Sequence, residues 1–129
     1  MKQIIRGDVI YIDLGQHPKS SVQSGVRPCV VVSNDTNNKY AKVLCVCPCT
    51  GNISKNYIPT HVVIEPEDVK GYFEKTSLLL AEQITVVSKN KVISKVGHIP
   101  EDSDVMEQIN NAIARQLGFE STLSGGTAI

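Results

Sequence analysis

A chain of 129 residues is the size of one domain, with enough surface to bury for one core but not for two. Lysine plus arginine equals aspartate plus glutamate at 13 each, so no global basic field advertises a polyanion partner, and any nucleic acid has to be held by a local cluster. No apolar run approaches the roughly 20 residues that span a bilayer, and residues 1–14 lack the apolar core and small-residue cleavage site of a signal peptide, so a cytoplasmic protein is expected.

Residues 4–14 alternate β-branched or aromatic side chains with polar ones and are interrupted by Arg6-Gly7-Asp8, which predicts a strand entered through a bend. Residues 15–25 carry Pro18, several serines and two glycines without periodicity, and predict an exposed loop. Residues 28–33 form a nearly continuous apolar run, hence a buried strand, and Asn34, Asp35, Asn37 and Asn38 follow as turn formers. A third strand is expected over 42–48, a polar loop over 50–56 and a fourth strand over 60–64, together an antiparallel meander. Residues 77–84 fit a buried strand, whereas 86–99 mix a short polar turn with an apolar stretch near Val96 and leave the element type open.

The clearest helix starts near Pro100, where Ser103 can cap it and Glu101, Asp102 and Asp104 suit the positive end of its dipole. Val105, Ile109, Ala112, Ile113 and Leu117 then line one face, and Gly118 stops the helix. The domain is expected over 1–118, with a small, polar, disordered tail over 119–129. Strands in sequence with one terminal helix predict a mainly β, α+β architecture, a curled antiparallel barrel closed on one side by that helix.

Cys45, Cys47 and Cys49 alternate along one strand and so share a face, but they lack the C-x2-C knuckle and histidine partners of a zinc site. Buried free thiols are the expectation, and no metal or other cofactor is called for. No H-E-x-x-H and no glycine-rich phosphate loop occurs. Arg27 stands out, directly after the loop and before Pro28. Such an arginine either clamps a phosphate through its planar fork or pairs with a core carboxylate such as Asp8 or Glu82. Thr50, where a strand gives way to Gly51-Asn52, either offers its hydroxyl to the same oxyanion or is an ordinary turn threonine. His17 and His61 are candidate acid–base groups, or a solvated loop histidine and a structural strand-end histidine.

Arg6-Gly7-Asp8-Val9, Gly25-Val26-Arg27-Pro28, Val32-Ser33-Asn34-Asp35 with Asn38, Thr50, Pro59-Thr60-His61-Val62, and Ser77 with Glu82-Gln83-Ile84 occur in that order. The series resembles the MazF/PemK (Kid) family of toxin endoribonucleases over nearly the whole span from Arg6 to Leu117. The resemblance implies an SH3-like curled β-barrel forming a homodimer, and a metal-independent, sequence-specific endoribonuclease acting on single-stranded RNA. In that chemistry the 2'-hydroxyl attacks the adjacent phosphorus and leaves 2',3'-cyclic phosphate and 5'-hydroxyl ends.

The resemblance further implies that Arg27 and Thr50 are catalytic. The reference pKa of arginine exceeds 12, so Arg27 suits charge stabilisation better than proton abstraction. Ser21, Gln23, Asn34, Gln83 and His61 are the implied RNA contacts, and an antitoxin with a disordered acidic C-terminal segment is the implied partner. Two departures stand out: Ser21-Val22-Gln23-Ser24-Gly25 lacks the acid that many relatives carry, and Thr85 stands where many place an arginine. The competing readings are a CcdB-like poison that binds gyrase, and an inactive homologue that binds RNA or antitoxin.

Overall fold

The computed structural model describes residues 3–53 and 58–119. Its elements run β1 (Asp8–Asp13), β2 (Val26–Val31), α1 (Asp35–Tyr40), β3 (Val43–Thr50), β4 (His61–Ile64), β5 (Lys70–Gly71), β6 (Ser77–Leu80), β7 (Thr85–Ser88), β8 (Val92–His98) and α2 (Asp104–Leu117). Short 3-10 turns occupy Pro66–Asp68, Ala81–Gln83 and Lys89–Lys91. The strands pair antiparallel in the order β4-β6-β3-β2-β1-β8-β5, with β7 also on β3. This is the expected mainly β, curled antiparallel architecture with a C-terminal helix.

β3 organises the sheet. One edge carries β2, while the other carries β7 along Val43 to Val46 and then β6 at Cys49 and Thr50. The meander therefore holds through β1, β2 and β3 and breaks at β4, which pairs with β6 instead. Side-chain alternation along the three central strands feeds two cores. Ile10, Ile12, Cys29, Val31, Leu44 and Val46 fill one, rimmed by Val87 and Val92. Val9, Val30, Cys47 and Cys49 point the other way, onto Val62, Ile64 and Leu79 and onto Val105, Met106 and Ile109 of α2. Burial on both faces is why residues 28–33 read as a nearly unbroken apolar run.

Two motifs prove architectural. Gly7 has φ +95°, and a Cβ there would meet the Ile99 carbonyl oxygen at 2.3 Å, so the bend needs glycine. The fully buried Asp8 carboxylate accepts from the Ile5 backbone N–H at 2.8 Å and meets His98 Nδ1 at 2.8 Å and Lys95 Nζ at 3.0 Å. Arg6 grips Glu101 at 3.0 and 2.9 Å, donates to the Val32 carbonyl at 3.1 Å and reaches Asn110, tying the bend to α2. The Asn34 to Asn38 cluster, expected as a turn, is the helix α1. Asn34 accepts from the Asn37 N–H at 2.8 Å as its N-cap, and the buried Asn38 amide donates to the Ser33 carbonyl at 2.8 Å.

Other elements differ from expectation. Pro28 does not open β2 but lies inside it, opposite Tyr11, so Arg27 is a strand residue opposite Ile12. The strand predicted over 77–84 ends at Leu80, because Ala81 donates to the Thr60 carbonyl at 2.9 Å and the chain tightens into the Ala81–Gln83 turn. The undetermined stretch 86–99 is a strand, a turn and a strand. In α2, Ser103 caps the start at 3.2 Å and Gly118 stops the end at φ +81°, as expected. Leu117, however, lies exposed, and Met106 is the fully buried residue that the stripe omitted. From residue 120 onward the expected tail lies outside the described residues, as do residues 54–56 of the expected polar loop. Among the described residues, no helix is long and apolar enough to cross a membrane.

Candidate functional site

The site is organised by the loop between β1 and β2. Gly15 (φ +79°) and Gly25 (φ +74°) bracket it, and its neck is closed by Leu14 N–H to the Gly25 carbonyl at 2.9 Å and Gly25 N–H to the Gly15 carbonyl at 2.8 Å. Arg27 follows at once. Its Nε donates to the Ser24 carbonyl at 3.1 Å, which holds the root of the side chain. The Nη1 and Nη2 groups have no acceptor among the described residues. Of the core carboxylates that could pair with Arg27, Asp8 is committed to His98 and Lys95, and Glu82 to His61. A guanidinium with its outer face unpaired can receive an anion bidentately.

Thr50 ends β3. The register of β2 on β3, Cys29 opposite Pro48 and Val31 opposite Val46, continued by two residues sets Arg27 abreast of Thr50 with both side chains on one sheet face. Thr50 Oγ accepts from the Asn52 N–H at 3.2 Å, which leaves its own O–H as a donor. It is 6% exposed.

A cleft of about 520 Å³ opens between the β1–β2 loop, the Ala81–Gln83 turn and β7. The loop lines it through His17 and Gln23, the Ala81–Gln83 turn through Glu82 and Gln83, and the far wall through Thr85 and Lys91. Neither Arg27 nor Thr50 lines it. Pro48, two residues before Thr50 on the same face of β3, is among its lining residues. Gln83 crosses the mouth: its carboxamide oxygen accepts from the Gln23 N–H at 2.7 Å and its Nε2 donates to the Ser21 carbonyl at 3.1 Å. Gln23 keeps its own Oε1 buried and without a partner.

Ser21, Gln23 and Gln83 are thus brought together, whereas Asn34 and His61 are not. Asn34 lies seven residues along the chain from Arg27, past the far end of β2, on the order of 20 Å away at strand rise, and its carbonyl oxygen is spent on the helix cap. His61 is 7% exposed, and its Nε2 meets Glu82 at 2.8 Å. Together with Thr60 Oγ, which donates to Glu82 at 2.9 Å, it fastens β4 to the Ala81–Gln83 turn. The structural reading of His61 therefore accounts for its contacts, and its effect on Gln83 is one of position. His17 is exposed, with Nε2 3.0 Å from the Leu14 carbonyl.

Lys91 was not singled out by sequence. Only the fold carries it into the lining of the cleft, which Thr85 shares. The cysteines are free thiols, three of them buried, and burial pushes Cys29 up to about 12 and raises Cys45, Cys47 and Cys49 as well. Among the described residues no group of three histidine, cysteine or acidic side chains is arranged to hold a metal ion.

The chain was compared with known proteins. The family described as PemK-like, MazF-like toxin of type II toxin-antitoxin system matches residues 5–117. An endoribonuclease MazF of Staphylococcus saprophyticus subsp. saprophyticus is 40% identical over 119 residues, 92% of this chain and 95% of that protein. An endoribonuclease in complex with its cognate antitoxin, from a mycobacterial species, superposes with TM-score 0.73 at 26% identity, covering 92% of this chain and 98% of the other. MazF from Deinococcus radiodurans gives TM-score 0.73 at 17% identity, covering 92% and 99%, and speaks for the fold.

Proposed function

The chain belongs to the PemK-like, MazF-like toxins of type II toxin–antitoxin systems, and on that premise we propose that Arg27 and Thr50 cleave RNA at the mouth of the β1–β2 loop. It is an endoribonuclease of that family. The observation that carries the site assignment is the outer face of Arg27, unpaired among the described residues, with Asp8 and Glu82 engaged elsewhere. A bound phosphodiester would place its non-bridging oxygens on Nη1 and Nη2 while the Thr50 hydroxyl donates to the charge that develops on phosphorus. The attacking group is the neighbouring 2'-hydroxyl, so the products carry 2',3'-cyclic phosphate and 5'-hydroxyl ends and DNA is spared. These donors supply charge stabilisation without a metal ion. His17, at the cleft wall, is the nearby imidazole suited to moving a proton.

The substrate is single-stranded RNA, because recognition of unpaired bases needs edges and faces that a duplex hides. Gln83, Gln23 and Ser21 are the base-side contacts. Lys91 takes over part of the phosphate attraction that Thr85 lacks. The reading extends to a cytoplasmic toxin domain over 1–118 that works as a homodimer. Val43 and Val86, exposed on the paired strands β3 and β7, offer apolar surface for that contact. An antitoxin with an acidic, disordered segment is the partner, and such a segment competes with RNA for the same cations.

The test is incubation of the purified protein with a long unstructured RNA in EDTA, followed by sequencing of the ends. Cleavage at a short motif with cyclic-phosphate ends is expected, and Arg27→Ala should retain the fold while losing activity by about a hundredfold or more, the scale of a lost oxyanion donor. Loss of cutting in EDTA would overturn the metal-free step. Binding without turnover would make the chain a non-catalytic homologue.

A further inference from the structure

We propose that the Gln83 carboxamide is a latch for the β1–β2 loop, and that an RNA base must take the loop's place on it for the site to open. Beyond its own neck and two local contacts at its start, Gly15 N–H to Asp13 Oδ1 at 2.9 Å and His17 Nε2 to the Leu14 carbonyl at 3.0 Å, the loop is tied to the fold, among the described residues, by hydrogen bonds from Arg27 and Gln83. The Gln83 bonds are of opposite sense, one accepted from the Gln23 N–H at 2.7 Å and one donated to the Ser21 carbonyl at 3.1 Å. A primary carboxamide carries C=O and N–H side by side along one edge only, and that edge is here filled by backbone.

The same edge is what a carboxamide uses to read a base, since every nucleobase offers an adjacent donor and acceptor. Loop backbone and base are therefore alternative occupants. Closed, Gln83 draws Ser21 and Gln23 across the cleft. With a base on the amide, Ser21 and Gln23 are released, and the loop can swing on Gly15 and Gly25, whose left-handed φ values of +79° and +74° sit at its two ends with open space around each. The buried, unpartnered Oε1 of Gln23 gains a partner only when the loop moves or a ligand arrives. Gln83 itself is held in register by Glu82, clamped on Thr60 and His61. The second half of this inference rests on the proposed RNA cleavage; the first does not.

Backbone amide hydrogen exchange of the full chain without RNA tests the latch alone. In Gln83→Leu the Gln23 amide should exchange about tenfold faster, the loss of one ordinary hydrogen bond, while amides of β1 to β3 keep their rates. An unchanged Gln23 rate overturns the latch. Should the leucine variant lose the fold, visible as faster exchange throughout the strands, Gln83→Ser, too short to reach the loop, takes its place with the same expectation. In the second arm, wild type and variant cut a mixed-sequence single-stranded RNA and the cut sites are sequenced. Loss of preference at one base position is expected, and an unaltered motif overturns the exchange of loop for base. If the wild-type protein cuts no RNA, the proposed function falls while the exchange rates still decide the latch.

Discussion

Arg27 shows how one side chain can be left available inside a small fold. A guanidinium in a strand normally finds a carboxylate, yet the acids Asp8 and Glu82 are taken, Asp8 by His98 and Lys95 and Glu82 by His61 and Thr60. Gly25-Val26-Arg27-Pro28 marks the residue in sequence, but only the account of where the two acids go separates a phosphate clamp from an ion pair. Lys91 makes the complementary case, because nothing local distinguishes it from other surface lysines until the Lys89–Lys91 turn brings it to the cleft that Thr85 also lines. Lys91→Ala should therefore weaken RNA binding and reduce the slope of log affinity against log salt by about 0.7, one phosphate contact, with folding unaffected. Thr85→Arg should steepen the slope by a similar amount; titrations at several salt concentrations check both.

Among the elements, those written by local pattern formed as expected. α2 has its cap, its stripe and its stop in one contiguous segment, and the departures within it, Leu117 exposed and Met106 buried, are differences of one helical step at the edge of the stripe. The Ala81–Gln83 turn was not legible, since an apolar run followed by Glu-Gln continues a strand equally well. A distant carbonyl, Thr60, and a distant imidazole, His61, bend it. The Arg6-Gly7-Asp8 bend is likewise fastened from far away, by β8. Asp8→Asn keeps the shape but removes the charge that Lys95 and His98 meet in a fully buried place, and should cost about 3 kcal/mol. Urea unfolding followed by circular dichroism measures it, with the activity of the folded fraction expected to stay near normal.

At the scale of the molecule, the two cores on opposite faces of the central strands make the thiols part of the stability balance. Burial holds Cys29 up to about 12 against an ordinary 9.0, and Cys47 and Cys49 are raised too, so above the ordinary value the unfolded chain loses protons that the folded chain keeps. Stability from this source is full below pH 9 and falls as pH rises toward the folded value, by about 1.4 kcal/mol per pH unit for each such thiol. Urea midpoints at about pH 8 and about pH 10 should differ by more in the wild type than in Cys29→Ala, and an equal fall in both would remove Cys29 from the account. The mainly β class, the helix with its ends, the buried thiols and the family are legible along the chain, because they depend on residue type, period and the order of motifs. Tertiary structure decided the split edge of β3, the partners of Asp8 and Glu82, the removal of Asn34 and His61 from the cleft, and the closure of the loop on Gln83. Each of these turns on which donor meets which acceptor across tens of residues, and hydrogen bonds and ion pairs select their partners by geometry that only the packed chain supplies.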